Sequence, residues 1–347
     1  VKHEIYIQRC LDLAGLGIGY VSPNPMVGAV VVHKDRVIGE GYHHKYGQPH
    51  AEVNAINQVI SNFSNSAELL KQSAIYVSLE PCAHYGKTPP CADLIIKHQI
   101  PKVIVGCRDP FDQVNGKGID KLKAAGVEVT TGVLEKECQW LNRRFFTRVK
   151  KQHPYIILKW AQTPDGFFAP DDNSQHWITG IEAHKLVHQW RSEEDAVLVG
   201  KNTAAIDNPQ LNVRYGNGKS PKRVVIDRKL ELSKSLNLFD QSVETLIFNE
   251  VKTDLDGKNK YIALEDFERY VPQYILFQLY LQDIQSIIIE GGAATLNTFI
   301  DAGLWDEARI FTGTTDLRKG IKAPLITGET IGEFSAGSDK LQIIKKY

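Results

Sequence analysis

Short apolar runs of strand length alternate with stretches of helical periodicity along most of this chain, and partway along it the alternation restarts. This pattern constrains the fold more than any other feature, because neighbouring parallel strands need a crossover, usually a helix, between them. In the first series, residues 26–32, 74–79, 102–107 and 127–130 read as strands. Helical patterns occupy 3–16, a stretch opening at His50, 91–98 and 118–125. Ile5, Cys10, Leu11, Leu13 and Ala14 form the expected apolar side of the first helix. Ser22-Pro23-Asn24-Pro25 is a turn, and 39–47 and 81–90 read as loops. The stretch 133–152, rich in Arg, Lys and Glu, reads as a helix and then a junction, and Pro154 begins a new pattern. In the second series, 155–160, 196–199, 223–226, 245–248, 284–289 and 308–312 are predicted strands. Residues 182–190 and 294–302 are predicted helices, and 215–221 and 250–260 loops. The prediction is two layered α/β domains, 1–147 and 148–347, with largely parallel sheets. A length of 347 residues suits two domains.

Lys plus Arg and Asp plus Glu both number 41, giving a formal net charge of zero, which argues against a nucleic-acid partner. No apolar run approaches the roughly 18 residues that would span a bilayer, and residues 1–4 lack the apolar core of a signal peptide. The expectation is a cytoplasmic protein with no membrane partner. Five cysteines do not make a disulfide framework; Cys10, Cys107 and Cys138 lie alone in apolar or helical contexts and read as structural thiols.

Cys82 and Cys91 differ. His50-Ala51-Glu52 opens a helix, Glu80-Pro81-Cys82 follows a strand, and Cys91 comes nine positions after Cys82. One imidazole and two thiolates match the three protein ligands of a catalytic zinc site, which keeps a fourth position for water. Zinc brings the pKa of such a water toward about 7. Deamination of an aromatic amidine also needs a group to carry protons to the ring nitrogen and the departing amine. Glu52, two residues from His50, can stand beside the metal without ligating it. The pattern H-x-E with a later P-C is that of zinc nucleobase deaminases, although the second cysteine stands further on here than in the usual P-C-x-x-C.

The second half has no G-x-G-x-x-G. It has Ile289-Glu290-Gly291-Gly292-Ala293-Ala294-Thr295, where a buried strand gives way to two glycines and a helix, an arrangement suited to a phosphate. Trp177-Ile178-Thr179-Gly180 precedes a helix, Val199-Gly200-Lys201-Asn202-Thr203 follows a strand, and Asp207-Asn208-Pro209-Gln210-Leu211 comes next. Val225-Ile226-Asp227-Arg228 ends another strand with a cation suited to a 2′-phosphate, hence NADPH.

His50-Ala51-Glu52, Ser22-Pro23-Asn24-Pro25-Met26-Val27-Gly28 and the run from Glu80 to Cys91 together resemble the deaminase domain of the bifunctional riboflavin-biosynthesis deaminase–reductases, in which the long Cys-to-Cys interval is the family's own variant. The segments of the second half resemble the reductase domain of the same family, so the resemblance covers nearly the whole chain in the family's domain order. It implies a cytidine-deaminase-like three-layer domain followed by a dihydrofolate-reductase-like domain. The first holds zinc on His50, Cys82 and Cys91, with Glu52 as proton shuttle and Asn24, His43 and Lys87 on the substrate. The second places Ala161, Trp177, Thr203, Asp207, Arg228 and Gly292, Ala293, Ala294, Thr295, Leu296, Asn297 and Thr298 near NADPH. Arg191, Leu211, Arg214 and Glu290 fall at substrate positions, with Lys159 on the strand lining the pocket. Ser174 or Gln175 takes one further substrate contact, and Gln175 is assigned it. The implied reactions are deamination of a diaminopyrimidinone ribosylamino phosphate and then reduction of the ribosyl group to ribityl. The family also implies a dimer through the reductase domain.

Two other readings remain open on the residues alone. One is a zinc deaminase of nucleosides or RNA carrying a non-catalytic second domain; the other is a zinc-stabilised scaffold. NADPH binding by the second half separates the first from a reductase, and the effect of replacing Glu52 separates the second from an enzyme.

Overall fold

The structure is a computed structural model that describes residues 2–83, 89–111, 114–172, 174 and 176–347. The chain divides into two compact units, Val1–Gln152 and His153–Tyr347.

The first unit runs α1 (Lys2–Gly15), β1 (Gly28–His33), β2 (Arg36–Tyr42), α2 (Ala51–Asn62), α3 (Ser66–Leu70), β3 (Ala74–Leu79), α4 (Cys91–Lys97), β4 (Lys102–Cys107), α5 (Lys117–Ala124), β5 (Glu128–Thr131), α6 (Glu135–Leu141) and α7 (Arg143–Lys151). Helix α7 runs across the expected domain boundary between 147 and 148. The strands form one sheet in the order β2-β1-β3-β4-β5. β1 is antiparallel to both of its neighbours, while β3, β4 and β5 are parallel. Side chains on a strand alternate between faces, and β1 shows the consequence. Ala29 and Val31 pack with Ala55, Ile56 and Ile95 of α2 and α4, whereas Val30 and Val32 pack with Ile7, Leu11 and Phe146 of α1 and α7. Helices thus cover both faces, giving three layers.

Two local expectations are corrected. Ile5 is exposed, and α1 instead buries Tyr6, Ile7, Cys10, Leu11, Leu13 and Ala14. The start of the segment 39–47, expected to be loop, lies in β2, which runs to Tyr42. Gly41 in that strand lies under α2, where a Cβ would meet the backbone nitrogen of Ala55 at 2.4 Å. The glycine is there for close strand–helix packing.

The second unit runs β6 (Tyr155–Gln162), β7 (Phe167–Ala169), α8 (Ile181–Glu193), β8 (Ala196–Gly200), α9 (Lys201–Asp207), β9 (Lys222–Ile226), β10 (Thr245–Asn249), β11 (Asp254–Asp256), β12 (Asn259–Ala263), α10 (Val271–Leu281), β13 (Ser286–Ile289), α11 (Ala293–Asp301), β14 (Glu307–Thr312), β15 (Ile321–Lys322), β16 (Glu329–Ala336) and β17 (Asp339–Lys345). Its large sheet has the order β11-β12-β10-β9-β8-β13-β6-β14-β17-β16. The run from β12 to β14 is parallel throughout, and β16 and β17 close one edge as an antiparallel hairpin. β8, β10 and β13 are buried along their whole length, as a parallel sheet covered on both faces requires. β11 and the start of β12 occupy the expected loop 250–260. No helix among the described residues is long and apolar enough to cross a membrane.

Candidate active sites

In the first unit, three elements converge on one point. His50 is the extended residue capping α2, Cys82 lies three residues past the end of β3, and Cys91 is the first residue of α4. Their ligand atoms all lie within 4.8 Å of one another. His50 Nδ1 stands 3.7 Å from Cys82 Sγ and 3.3 Å from Cys91 Sγ. Tetrahedral zinc with ordinary Zn–N and Zn–S bonds puts such atoms about 3.5 Å apart, so the donor set fits that ion. The cysteines are free thiols, and the Cys91 N–H donates to Cys82 Sγ at 3.3 Å. Contact with Cys91, then His50, holds the Cys82 thiol below its ordinary range, while Cys82 and burial push Cys91 up. Thiolate character at Cys82 suits a metal ligand.

Glu52 follows in the first turn of α2 and is only 3% exposed. Burial pushes its carboxyl up to about 7, against the pull of His50. A carboxyl that takes and gives a proton near neutral pH has the property a shuttle needs. His43 is buried, whereas His44 is exposed and stacks on Tyr42. His43 Nδ1 lies 3.1 Å from the Pro49 carbonyl, so this nitrogen carries the proton and donates. Its Nε2 then accepts from Asn24 Nδ2 at 3.0 Å, and its ring sits edge-on to His50 at 5.4 Å. Asn24, His43, His50, Glu52, Cys82 and Cys91 therefore form one constellation. Lys87 lies outside the described residues.

The sequence motifs include Glu80 without giving it a role, and they do not include Asp109. Glu80 is buried, and its two oxygens accept the N–H groups of Asp109 and Gly116 and of Gly118 and Ile119, at 3.0–3.3 Å. It ties the segment after β4 and the start of α5 to the residue before Pro81-Cys82. Asp109 is buried beside it, and burial pushes its carboxyl up to about 7. Glu80→Ala leaves four buried donors without their acceptor and is expected to destabilise the first unit by about 3 kcal/mol or more. Denaturant unfolding followed by deamination checks this; an unchanged midpoint would contradict it.

In the second unit, a cleft of about 1510 Å³ opens at the carboxyl ends of β6, β8 and β13, where open parallel sheets bind ligands. Its volume exceeds the roughly 300–1,000 Å³ of a single small-ligand site, leaving room for a cofactor and a substrate together. Lys159, Arg191, Leu211, Arg214 and Glu290 line it. Ala161, Trp177, Thr203, Asp207 and Arg228 also line it, as do Gly292–Thr295 and Thr298. Two expected cofactor residues do not: Leu296 is fully buried in the core, and Asn297 is exposed away from the cleft. Helical periodicity turns these two positions of α11 off the ligand face. Gln175 lies outside the described residues; Ser174 is a cleft residue.

Gly291 lies where a Cβ would meet Val199 Cα at 2.5 Å, so this glycine serves strand packing. The Gly292 N–H donates to Thr203 Oγ1 at 2.8 Å. The first turn of α11 then offers amides without helical acceptors at the cleft wall. Arg191 makes a two-point bond to Glu290, at 2.8 and 2.7 Å. Burial alone would raise the Glu290 carboxyl, but the Arg191 charge and bonds, with Lys159 and His188, bring it down to about 2. Burial lowers Lys159, partly offset by Glu290. Arg228 is held by Glu250 at 2.6 Å and by Glu268. The sequence reading also missed His184 and His188, both in the cleft wall. They stand seven and three positions before Arg191 on α8, a spacing that shares a helix face and could have revealed them.

Comparison with known proteins accords with both halves. Residues 1–107 match the cytidine and deoxycytidylate deaminase zinc-binding region, and residues 154–330 match the RibD C-terminal domain. The riboflavin biosynthesis protein RibD of Aquifex aeolicus is 39% identical over 98% of this chain and 93% of its own length. That of Bacillus amyloliquefaciens is 38% identical over 94% and 88%. A crystal structure from Thermotoga maritima, described as a diaminohydroxyphosphoribosylaminopyrimidine deaminase/5-amino-6-(5-phosphoribosylamino)uracil reductase, superposes with a TM-score of 0.91 at 35% identity, covering 100% of this chain and 99% of that one. Acinetobacter baumannii RibD gives a TM-score of 0.90 at 33% identity, with 99% and 98% covered. A zinc-binding deaminase domain carrying the His50, Cys82 and Cys91 cluster, joined to a reductase domain, places the chain in the RibD family of bifunctional deaminase–reductases of riboflavin biosynthesis.

Proposed function

We propose that the first unit deaminates 2,5-diamino-6-(5-phosphoribosylamino)pyrimidin-4(3H)-one, and that the second uses NADPH to reduce the ribosyl group of 5-amino-6-(5-phosphoribosylamino)uracil to ribityl. The observation that carries this is the His50–Cys82–Cys91 cluster with Glu52 buried beside it. Zinc held by these three residues supplies activation of water at neutral pH. Glu52 takes a proton from the attacking water and passes protons to the ring nitrogen and to the amine, which leaves as ammonia. Asn24, fixed by His43, holds the base, and Lys87 takes the phosphate.

In the second unit, Arg191 and Arg214 offer guanidinium forks to the sugar phosphate. Leu211 lines the substrate side of the cleft, and the family resemblance gives Gln175 one further substrate contact. Ala161, Trp177, Thr203 and Asp207 flank NADPH, the first turn of α11 takes its diphosphate, and Arg228 takes its 2′-phosphate. NADPH bound there would supply a hydride to C1′ of the ring-opened ribosyl group, and a proton must be supplied nearby. Glu290, ionised down to about pH 2, has none to give at neutral pH. Lys159, lowered by burial, and Asp207, raised by burial, remain as donors. The family resemblance supports a homodimer through the second unit and a cytoplasmic location.

Because Glu250 and Glu268 occupy Arg228, a 2′-phosphate must compete with them. Glu250→Gln combined with Glu268→Gln is expected to raise the preference for NADPH over NADH by about threefold to tenfold. The ratio of kcat/KM values for the two cofactors checks this, and an unchanged ratio contradicts it. The whole reading is tested by giving zinc-loaded protein the diamino compound and, separately, the deaminated compound with NADPH. Ammonia from the first and NADPH oxidation with the second are expected. Ammonia without oxidation overturns the reductase half; no ammonia from zinc-bound protein overturns the deaminase half.

A further inference from the structure

His188 is a histidine that neither the sequence motifs nor the family match assigns a role. It lies on α8, is 3% exposed, and forms part of the cleft wall one helical turn before Arg191. Its Nδ1 accepts the backbone N–H of Arg214 at 3.1 Å. A nitrogen that accepts cannot carry the proton of a neutral ring, so the proton sits on Nε2. The ring is neutral, because burial, Arg191 and Arg214 push its pKa down to about 4. Nε2–H has no hydrogen-bond partner among the described residues, although the ring is almost wholly enclosed and its neighbourhood is the cleft. This nitrogen is not among the buried polar atoms that lack a partner, so it is open to the cleft, where an oxygen of a ligand can accept from it.

The segment facing His188 adds a second, independent observation. Asn208 and Leu211 both adopt left-handed backbone, at φ 40° and 50°, which costs a non-glycine residue about 1–3 kcal/mol. Helix α8 holds this segment twice, through His188 to the Arg214 amide and through Arg191 Nη1 to the Asn212 carbonyl at 3.4 Å. The Arg214 guanidinium is meanwhile turned to Gln210 at 3.0 Å and Asn212 at 3.3 Å. Tyr215 closes over the His188 ring, edge-on at 5.0 Å. His188 thus connects the two arginines that the proposed function gives to the sugar phosphate.

We propose that His188 is a substrate-binding residue of the reductase site: its Nδ1 fixes the Arg214 segment, and its Nε2–H donates to an oxygen of the phosphoribosyl group between Arg191 and Arg214. This rests on the proposed reductase reading.

The two ring nitrogens can be separated by substitution. His188→Asn keeps an acceptor near the Nδ1 position and removes the Nε2 donor. His188→Gln places an amide N–H near the Nε2 position. The full-length variants are assayed for NADPH oxidation with the deaminated compound, and ammonia release by the first unit serves as the folding control. His188→Asn is expected to raise KM for the deaminated compound about tenfold, the loss of one hydrogen bond, with KM for NADPH unchanged. His188→Gln is expected to stay within about threefold of the parent, on the same hydrogen-bond scale. An unchanged substrate KM in His188→Asn overturns the proposal, and together with a rise in His188→Gln it would leave only the anchoring of Arg214; an equal rise in both variants overturns it too, because the effect would not follow the Nε2 donor. Absence of NADPH oxidation in the parent protein would instead overturn the reductase reading itself, so the two failures are distinguishable.

Discussion

Glu52→Gln is expected to slow ammonia release by about 10²–10⁴-fold, with zinc still bound and NADPH-dependent reduction unchanged. The glutamine keeps the shape of a side chain that is 3% exposed in the first turn of α2, so the helix and the neighbouring His50 have no reason to move. It cannot take and return a proton. The zinc donors are His50, Cys82 and Cys91, none of which is altered. The reductase cleft belongs to the second unit, lined by residues from 159 onward. Ammonia release, metal content and NADPH oxidation with the deaminated compound, measured on one preparation, check the three parts. Deamination within tenfold of the parent would remove Glu52 from the chemistry. Loss of zinc would make it part of the metal site.

Glu290→Ala is expected to destabilise the second unit by about 3–5 kcal/mol and to abolish reduction, because it strips a buried guanidinium of its partner. The side chains of Arg191 and Glu290 are only 11% and 8% exposed. Water therefore cannot replace the lost carboxylate well. Combining it with Arg191→Met should return much of the stability, since an apolar pair can replace a buried ion pair, yet reduction should stay absent. Denaturant unfolding of the single and double variants distinguishes these outcomes; equal loss in both would contradict the pairing argument. The pair also fixes a pH dependence. The folded carboxyl is held down to about 2, below its ordinary value of 4.5. Its contribution to stability is complete above pH 4.5 and is lost as pH falls through about 2.

The parts of this molecule legible in the sequence are those whose neighbours in space are also close in the chain or carry distinctive chemistry. β3, β4, β8 and β13 announce themselves as continuous apolar runs because both faces are covered. The zinc cluster is legible because few roles other than metal ligation place a histidine and two cysteines after consecutive elements. β2 was hidden by its exposed edge and by glycines that α2 requires. Helix α10 is apolar on nearly every side, with Tyr274, Phe277 and Leu281 exposed, so it lacks the period that marks an amphipathic helix. The hairpin of β16 and β17 is largely exposed on its outer strand and has no clean alternation. Long-range pairing was the least legible of all. Glu250 and Glu268 lie 22 and 40 residues from Arg228, and Glu290 lies 99 from Arg191. The sequence motifs showed the cations; only the fold shows which carboxylates hold them.

The claim that two independent chemistries share this chain is tested most directly by counting products through a single incubation. Zinc-loaded protein is given the diamino compound without NADPH, ammonia is followed to completion, and NADPH is then added. The account predicts ammonia release before any NADPH is present, followed by oxidation of NADPH equimolar with the ammonia already released. Oxidation that begins without prior ammonia, or ammonia release that waits for NADPH, would contradict it.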